Sequence, residues 1–252
     1  MANVVLVGAN TGIGFYMAER LLEMGHTVTV LDVETRAVRA LERRFPEQAM
    51  VLEADARDAA GICDGVRQAV VRFGQIDAAV HNACLCTFGD EVETEEATYR
   101  AVMEVNFYGA LHLAKAVLPF MRKAQKGRVV FTSSGVGVTG FAGISPYAAS
   151  KGAIEALAKC LAIENEDKGI SFHLMHPPLT DTASAAALPV PKEFKADARK
   201  VGRGLAEHLW DTRFIICHSR MQAAQMAFSY RHPLFIGRLM TKMTKRAVTE
   251  KE

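Results

Sequence analysis

A continuous apolar run at residues 4–7, VVLV, passes without a spacer into the glycine-rich segment VGANTGIG. No other feature of the chain limits its fold as strongly. An unbroken aliphatic run suits a strand buried on both faces, and such strands belong to parallel sheets covered by helices. Gly8, Gly12 and Gly14 then stand at Gly-x-x-x-Gly-x-Gly spacing in the strand-to-helix turn. Glycine permits the tight turn and lets the backbone approach a pyrophosphate with no Cβ in the way. The helical stretch that follows, FYMAERLLEMG, aims its free N–H groups and positive dipole end at the same point. The turn lacks the Lys-Ser/Thr pair of a P-loop, which disfavours ATP or GTP hydrolysis.

The same alternation continues. TVTVLDV is a second strand, followed by a charged helix from about Arg36 to Arg44, ended near Pro46. AMVLEAD is a third strand, 58–73 a third helix and IDAAVHNA a fourth strand. A long helical stretch covers roughly 95–124, before the strand GRVVFTSS, the helix YAASKGAIEALAKCLAIENEDKG and the strand ISFHLMHP. Repeated β-α units with short connections predict an α/β fold: a Rossmann-type, doubly wound parallel sheet with helices on both faces. With 252 residues, no internal linker and no repeat, one domain over 1–252 is the simpler organisation. A hydrophobic share of 50% excludes disorder, and a net charge of +2 gives no case for nucleic acid as a partner.

Five cysteines (Cys63, Cys84, Cys86, Cys160 and Cys217) are too few and too scattered for a disulfide framework. The Cys84-x-Cys86 pair has no second Cys or His pair at zinc spacing, so no metal is expected. MANVVLVGAN carries no basic segment or cleavage site, and the uncharged stretch 129–150 holds four Gly and a Pro, a poor spanning helix. A soluble, cytoplasmic protein is expected. Asp32 ends the second strand, 18 residues beyond Gly14. A carboxylate there accepts both ribose hydroxyls of an adenosine and repels a 2′-phosphate, which favours NAD; Arg36 nearby keeps NADP open.

From residue 4 to residue 182 the chain resembles the short-chain dehydrogenase/reductase family. The motifs are the Gly8/Gly12/Gly14 turn, EADARD around Asp55, HNAC around Asn82, VNFYG around Asn106, Ser134, and YAASK from Tyr147 to Lys151. The thirteen-residue gap from Ser134 to Tyr147 matches as well. The resemblance implies that Asn106, Ser134, Tyr147 and Lys151 form the catalytic set. It implies a cofactor site made of Gly8, Asn10, Thr11, Gly12, Ile13, Gly14, Asp32, Asp55, Ala56, Asn82, Ala83, Tyr147, Lys151, Pro177, Thr180 and Thr182. Asp55 would meet the adenine amino group, the Asn82-Ala83 backbone the adenosine ribose, Lys151 the nicotinamide ribose and Thr182 the carboxamide. Asn106 would support a helix distortion and a bound water. Homodimers or homotetramers through the helices at 95–124 and 147–165 are also implied. Three positions depart from the family pattern: His81-Asn82-Ala83-Cys84 replaces Asn-Asn-Ala-Gly, Pro177-Pro178 replaces Pro-Gly, and Val7 replaces a threonine. Cys84 would therefore put a side chain where the family usually has none, altering the local geometry near the cofactor.

Tyr147 and Lys151 lie four apart on a predicted helix and share a face. A tyrosine titrates near pH 10 unaided, about three units from neutrality. A neighbouring ammonium favours the phenolate and lowers that value. Tyr147 then serves as general acid or base, exchanging a proton with an alcohol or ketone while hydride moves to or from NAD(P). Ser134 orients the substrate oxygen. His81, His173 and His176 are expected to be partly buried, satisfied side chains with no catalytic part.

The last third is less regular. Residues 183–199 are rich in small residues, Pro and Lys, and suit a mobile lid over a small-molecule alcohol or ketone. RFIIC is the candidate last strand. Pro177–Thr182 resembles the branch that reduces 3-ketosphinganine, so a membrane-associated long-chain ketone reductase is one alternative. A non-catalytic dinucleotide sensor is the other. Residues 220–252 hold seven Lys+Arg against two Asp+Glu, a basic extension that either packs on a subunit or lies on an anionic membrane.

Overall fold

The computed structural model describes residues 1–186 and 188–249; Ala187, inside the expected lid, and 250–252, at the end of the basic extension, lie outside them. Seven strands form a wholly parallel sheet in the order β3-β2-β1-β4-β5-β6-β7. They are β1 (Asn3–Val7), β2 (Thr27–Asp32), β3 (Ala49–Glu53), β4 (Ala78–His81), β5 (Gly127–Thr132), β6 (Ile170–Met175) and β7 (Ile215–Ile216). Strand alternation splits the apolar run of β1 between two cores. Val4 and Leu6 pack on Met17 and Leu21 of α1 (Gly12–Glu23) and on Val201 and Leu205 of α8 (Ala198–Glu207). Val5 and Val7 share the other core with α3 (Ala59–Phe73), α5 (Gly109–Ala124) and α7 (Ser145–Asn165). Both faces of β1 are dry, which is why its sequence shows no polar alternation.

Several expected elements change their bounds. The charged helix α2 spans only Arg39–Arg44, because Asn10 Oδ1 accepts the Ala37 and Val38 amides and holds the preceding residues in a turn. The stretch read as one helix over 95–124 is α4 (Glu96–Met103), a π turn at Glu104–Tyr108 containing Asn106, and α5. An extra residue in a helical turn leaves the 3.6 period nearly intact, so periodicity does not reveal it. The irregular stretch expected over 183–199 ends earlier, at Asp197. Asp197 caps α8 by accepting from the Lys200 amide, which draws Ala198 and Arg199 into a helix packed on α1. The remaining stretch forms 3-10 turns at Ala183–Ala185 and Lys192–Phe194, tied down by a Thr180–Ala196 bridge. Past β7, the basic extension forms α9 (Arg220–Arg231) and α10 (Pro233–Thr249). It packs on its own subunit, with α10 crossing the short helix α6 (Val136–Thr139).

The turn after β1 depends on one glycine. Gly8 has φ +84°, and a Cβ there would stand 2.2 Å from the Ala83 backbone nitrogen. Gly8→Ala is expected to lower the unfolding free energy by more than about 1 kcal/mol, read from the urea midpoint, because backbone rather than a flexible side chain must yield.

Candidate active site

The strand order reverses between β1 and β4, and the ends of parallel strands at such a point leave a crevice. A cavity of about 1080 Å³ opens there. Of the residues singled out in the sequence, Gly8, Asn10, Thr11, Gly12, Ile13, Asp32, Asp55, Ala56, Asn82, Ala83, Ser134, Tyr147, Lys151, Pro177, Thr180 and Thr182 line it. Gly14 and Asn106 do not. Gly14 sits behind the turn, where a Cβ would meet the Gly8 carbonyl oxygen at 2.2 Å. It lets α1 start against the strand rather than touching what fills the crevice.

Side chains brace the crevice from within. The Asn82 amide donates to the Gly8 carbonyl at 2.7 Å, and its oxygen accepts from Thr132 Oγ1 at 3.2 Å. Asp32 accepts from the Asn10 amide at 2.7 Å and from the Glu34 amide at 3.1 Å, so the carboxylate is fixed where β2 ends. Asp55 is paired with Arg57 at 2.6 Å, and hydrogen bonds from that guanidinium hold its carboxyl below the usual range. Across the crevice, a Cβ on Gly12 would lie 3.0 Å from Thr182 Cγ2, so the two lips nearly touch.

Tyr147 and Lys151 occupy successive turns of α7. Lys151 is 1% exposed, and its Nζ donates to the Thr132 carbonyl at 2.7 Å and lies 5.4 Å from the Tyr147 ring centroid. Ser134 lines the cavity beside Tyr147 and favours its phenolate. Titration departs from the sequence expectation. Burial, reinforced by the Cys84 and Cys86 thiols, pushes the Tyr147 phenol well above its ordinary value, and Ser134 opposes it without winning. Burial also pulls the Lys151 ammonium down. In the chain itself, desolvation therefore outweighs the expected lowering of the phenol by the neighbouring amine. Burial also raises Cys86, to about 12, so this thiol stays protonated at neutral pH.

Asn106 acts from behind. Its Oδ1 accepts the Leu85 amide at 2.7 Å, while its Nδ2 donates to the Leu85 carbonyl at 3.0 Å and to Ser150 Oγ at 2.9 Å. The π turn thus ties the segment carrying Cys84 and Cys86 to the helix carrying Tyr147. The expectation of partly buried, satisfied histidines fails: His81, His173 and His176 are all buried. His173 Nδ1 lies 2.7 Å from the Arg213 carbonyl, but its Nε2 has no hydrogen-bond partner among the described residues, and neither have His176 Nδ1 nor either nitrogen of His81. His81 is wholly buried rather than partly so, and burial followed by the Lys151 charge lowers it to about 3, keeping it neutral.

Two groups of residues escape sequence reasoning. The first is the far wall of the cavity, built from Val136, Phe141, Ile144, Leu188, Met226 and Met240. The second is a buried polar cluster one turn beyond Lys151. Glu155 accepts from Ser133 Oγ at 2.8 Å, from His176 Nε2 at 2.8 Å and from the Tyr230 hydroxyl. Burial raises the Glu155 carboxyl, but the bonds from His176, Tyr230 and Ser133 outweigh it and leave it below its ordinary value. The cluster joins α7, the ends of β5 and β6, and α9. The spacing Tyr147–Lys151–Glu155 was a signal that this helix face is polar; nothing in the sequence pairs it with Tyr230.

Fold and crevice together define a class, the Rossmann-type α/β proteins with a Tyr-x-x-x-Lys pair facing the crevice. Residues 2–192 match the short chain dehydrogenase family, and the chain belongs to it. Over 175 residues it is 31% identical to the L-fucose dehydrogenase of Bos taurus, covering 69% of this chain and 64% of that protein. Over 193 residues it is 28% identical to the 3-ketodihydrosphingosine reductase of Bos taurus, covering 73% and 58%. The matched stretch thus spans less than two thirds of either relative. The crystal structure of a short-chain dehydrogenase from Streptomyces avermitilis superposes with a TM-score of 0.79 at 25% identity, covering 100% of this chain and 98% of that one.

The Glu155 cluster makes its own prediction. A hydrogen bond to a buried carboxylate is worth roughly 1.5–3 kcal/mol, so Tyr230→Phe should lower stability by about that amount and speed amide exchange in α9. A carboxyl held low in the folded state stabilises above its ordinary value of 4.5 and loses that contribution as pH falls through the folded value. Glu155→Gln should flatten that acid limb of the stability profile, measured by urea unfolding from pH 3 to pH 7.

Proposed function

We propose that the chain is an NAD(H)-dependent oxidoreductase that interconverts a secondary alcohol and a ketone. One observation carries this reading: Tyr147, Ser134 and Lys151 line the same cavity as Gly8, Gly12 and Asp32. The crevice suits a dinucleotide, since backbone without a Cβ forms its floor and a fixed carboxylate stands where β2 ends. Bound nicotinamide supplies or accepts the hydride. Ser134 holds the substrate oxygen, and the Tyr147 hydroxyl gives that oxygen a proton in reduction or takes one in oxidation. Lys151 places a positive charge behind the phenol, and Thr180 and Thr182 close the nicotinamide end. Residues 183–197 serve as the substrate lid.

NAD is the favoured nucleotide. Asp32 and Glu34 put two carboxylates on that end of the cavity, whereas Arg36 is exposed and does not line it. A 2′-phosphate would meet like charge. The substrate favoured by the far wall is apolar. Lys151 is the one charged side chain among the described lining residues beyond the nucleotide end, and Val136, Phe141, Ile144, Leu188, Val190, Met226, Ile236 and Met240 dominate there. Thr139, Ser184, Gln222, Gln225 and Ser229 add polar groups but no second charge for a small carboxylate, and a long-chain ketone would lose only water against the apolar side chains.

Tyr147→Phe should lower kcat about a hundredfold or more with nucleotide affinity kept, measured by nicotinamide absorbance against a panel of ketones and alcohols. Survival of turnover would remove this mechanism, whereas nucleotide binding with no turnover by the unaltered protein would favour the dinucleotide-sensor reading. The pH dependence follows from the raised phenol. Below its titration the protonated donor predominates, so kcat for reduction should stay level through neutrality. Oxidation needs the phenolate, whose fraction grows about tenfold per pH unit in that range, so its kcat should climb. Asp32→Ala should cut the preference for NAD over NADP by about tenfold, read as the ratio of the two dissociation constants.

A further inference from the structure

The helices that wall the far side of the cavity carry a second apolar surface on the outside. Fifteen large hydrophobic side chains are exposed among the described residues, and five of them fall within 228–243: Phe228, Leu234, Phe235, Leu239 and Met243. Leu234 is 68% exposed and Phe235 61%. Phe235, Leu239 and Met243 recur at four-residue spacing along α10, so they form one stripe. Scattered exposed apolar residues need no explanation, but a contiguous stripe does. The inner face of the same helix is committed elsewhere: Ile236 and Met240 line the cavity, and Gly237 packs against the backbone of Thr139 and Gly140. Thr241 Oγ1 accepts the Ala142 amide at 3.1 Å, which pins the helix in place.

Charge decides what covers this surface. Arg231, Arg238 and Lys242 are exposed alongside the stripe, and the sequence has no Asp or Glu between Asp211 and Glu250. A second copy of the chain meeting this face about a two-fold axis would set those cations against their own copies with no carboxylate in the patch. An anionic bilayer has the complementary charge and accepts the apolar stripe. No helix among the described residues is long and apolar enough to cross a membrane. The surface would therefore lie on a bilayer rather than through it.

We propose that the outer face of α9 and α10 docks on an anionic lipid bilayer and sets the cavity mouth against the lipid. Phe228 links the two, since it lines the cavity and is 47% exposed. An apolar ketone held in the bilayer then passes along Phe228 into the chamber without crossing water. This delivery rests on the ketone–alcohol reading; the docking itself does not.

The test is flotation of the full-length protein with vesicles of phosphatidylcholine alone and with 30% phosphatidylserine, at low and high salt. Partition is expected to be about tenfold or more greater on the anionic vesicles, and to fall with salt. Phe235→Glu combined with Leu239→Glu should abolish it. Both residues are exposed and outside the cavity lining, so the melting temperature and the turnover of a short soluble ketone should hold. Equal partition of the altered and unaltered proteins, or none by either, overturns the proposal. So does a concentration-dependent dimer that the double substitution dissolves, which would give the face to a second copy. Tyr147→Phe must float like the unaltered protein, so failure of the chemistry and failure of docking give different results.

Discussion

The close approach of β1 and β4 at their carboxyl ends constrains everything around it. Gly8 turns with no Cβ against the Ala83 backbone, and the Asn82 amide spans the gap from the Gly8 carbonyl to Thr132 at the end of β5. Lys151 then donates to the carbonyl of that same Thr132. Three strand ends and α7 are thus held by one chain of short polar contacts. A side chain at residue 8 would push β4 outward and carry Thr132, and with it the Lys151 anchor, away from the first turn. Parallel strands make this possible, because they bring every strand's carboxyl end to one edge of the sheet.

That edge was the legible part. Its signals are local: an apolar run, three glycines within seven residues, an acid at the end of the next strand, and two side chains one helical turn apart. Each demands a backbone conformation or a shared face that spacing alone expresses. The far wall of the cavity is different. Phe141 and Met240 are about a hundred residues apart in sequence and meet only because α10 crosses α6. No periodicity links them. Glu155 and Tyr230 are separated by 75 residues in the same way. The early end of the irregular stretch after Thr182 was readable. Asp197 followed by Val201, Leu205 and Leu209 is a cap and an apolar stripe, but the small residues and prolines before it drew the boundary too far.

Electrostatics were the least legible. Placing Tyr147 beside Lys151 suggests an acidified phenol, yet both groups are desolvated, and desolvation moves them in opposite directions. The phenol is held protonated and the ammonium is weakened. Residue spacing reports who the neighbours are, whereas burial depends on the thiol-bearing segment at 84–86 and on the tail helices that roof the cavity. A phenol kept neutral in a dry site is placed to donate a proton rather than to accept one.

The tail helices connect these features. Helix α9 turns Tyr230 inward to the Glu155 carboxylate, one turn beyond Lys151 on α7, while Phe228, two residues earlier, faces both cavity and solvent. A surface that engages Phe228 and the stripe on α10 therefore loads the same helix that braces the lysine-bearing one. The brace is a buried carboxylate with three donors, an arrangement that resists small displacements because any lost bond leaves charge unsatisfied in a dry interior. Glu155 and Tyr147 share α7, so the Tyr230 contact ties the tail helix to the helix that carries Tyr147 and Lys151.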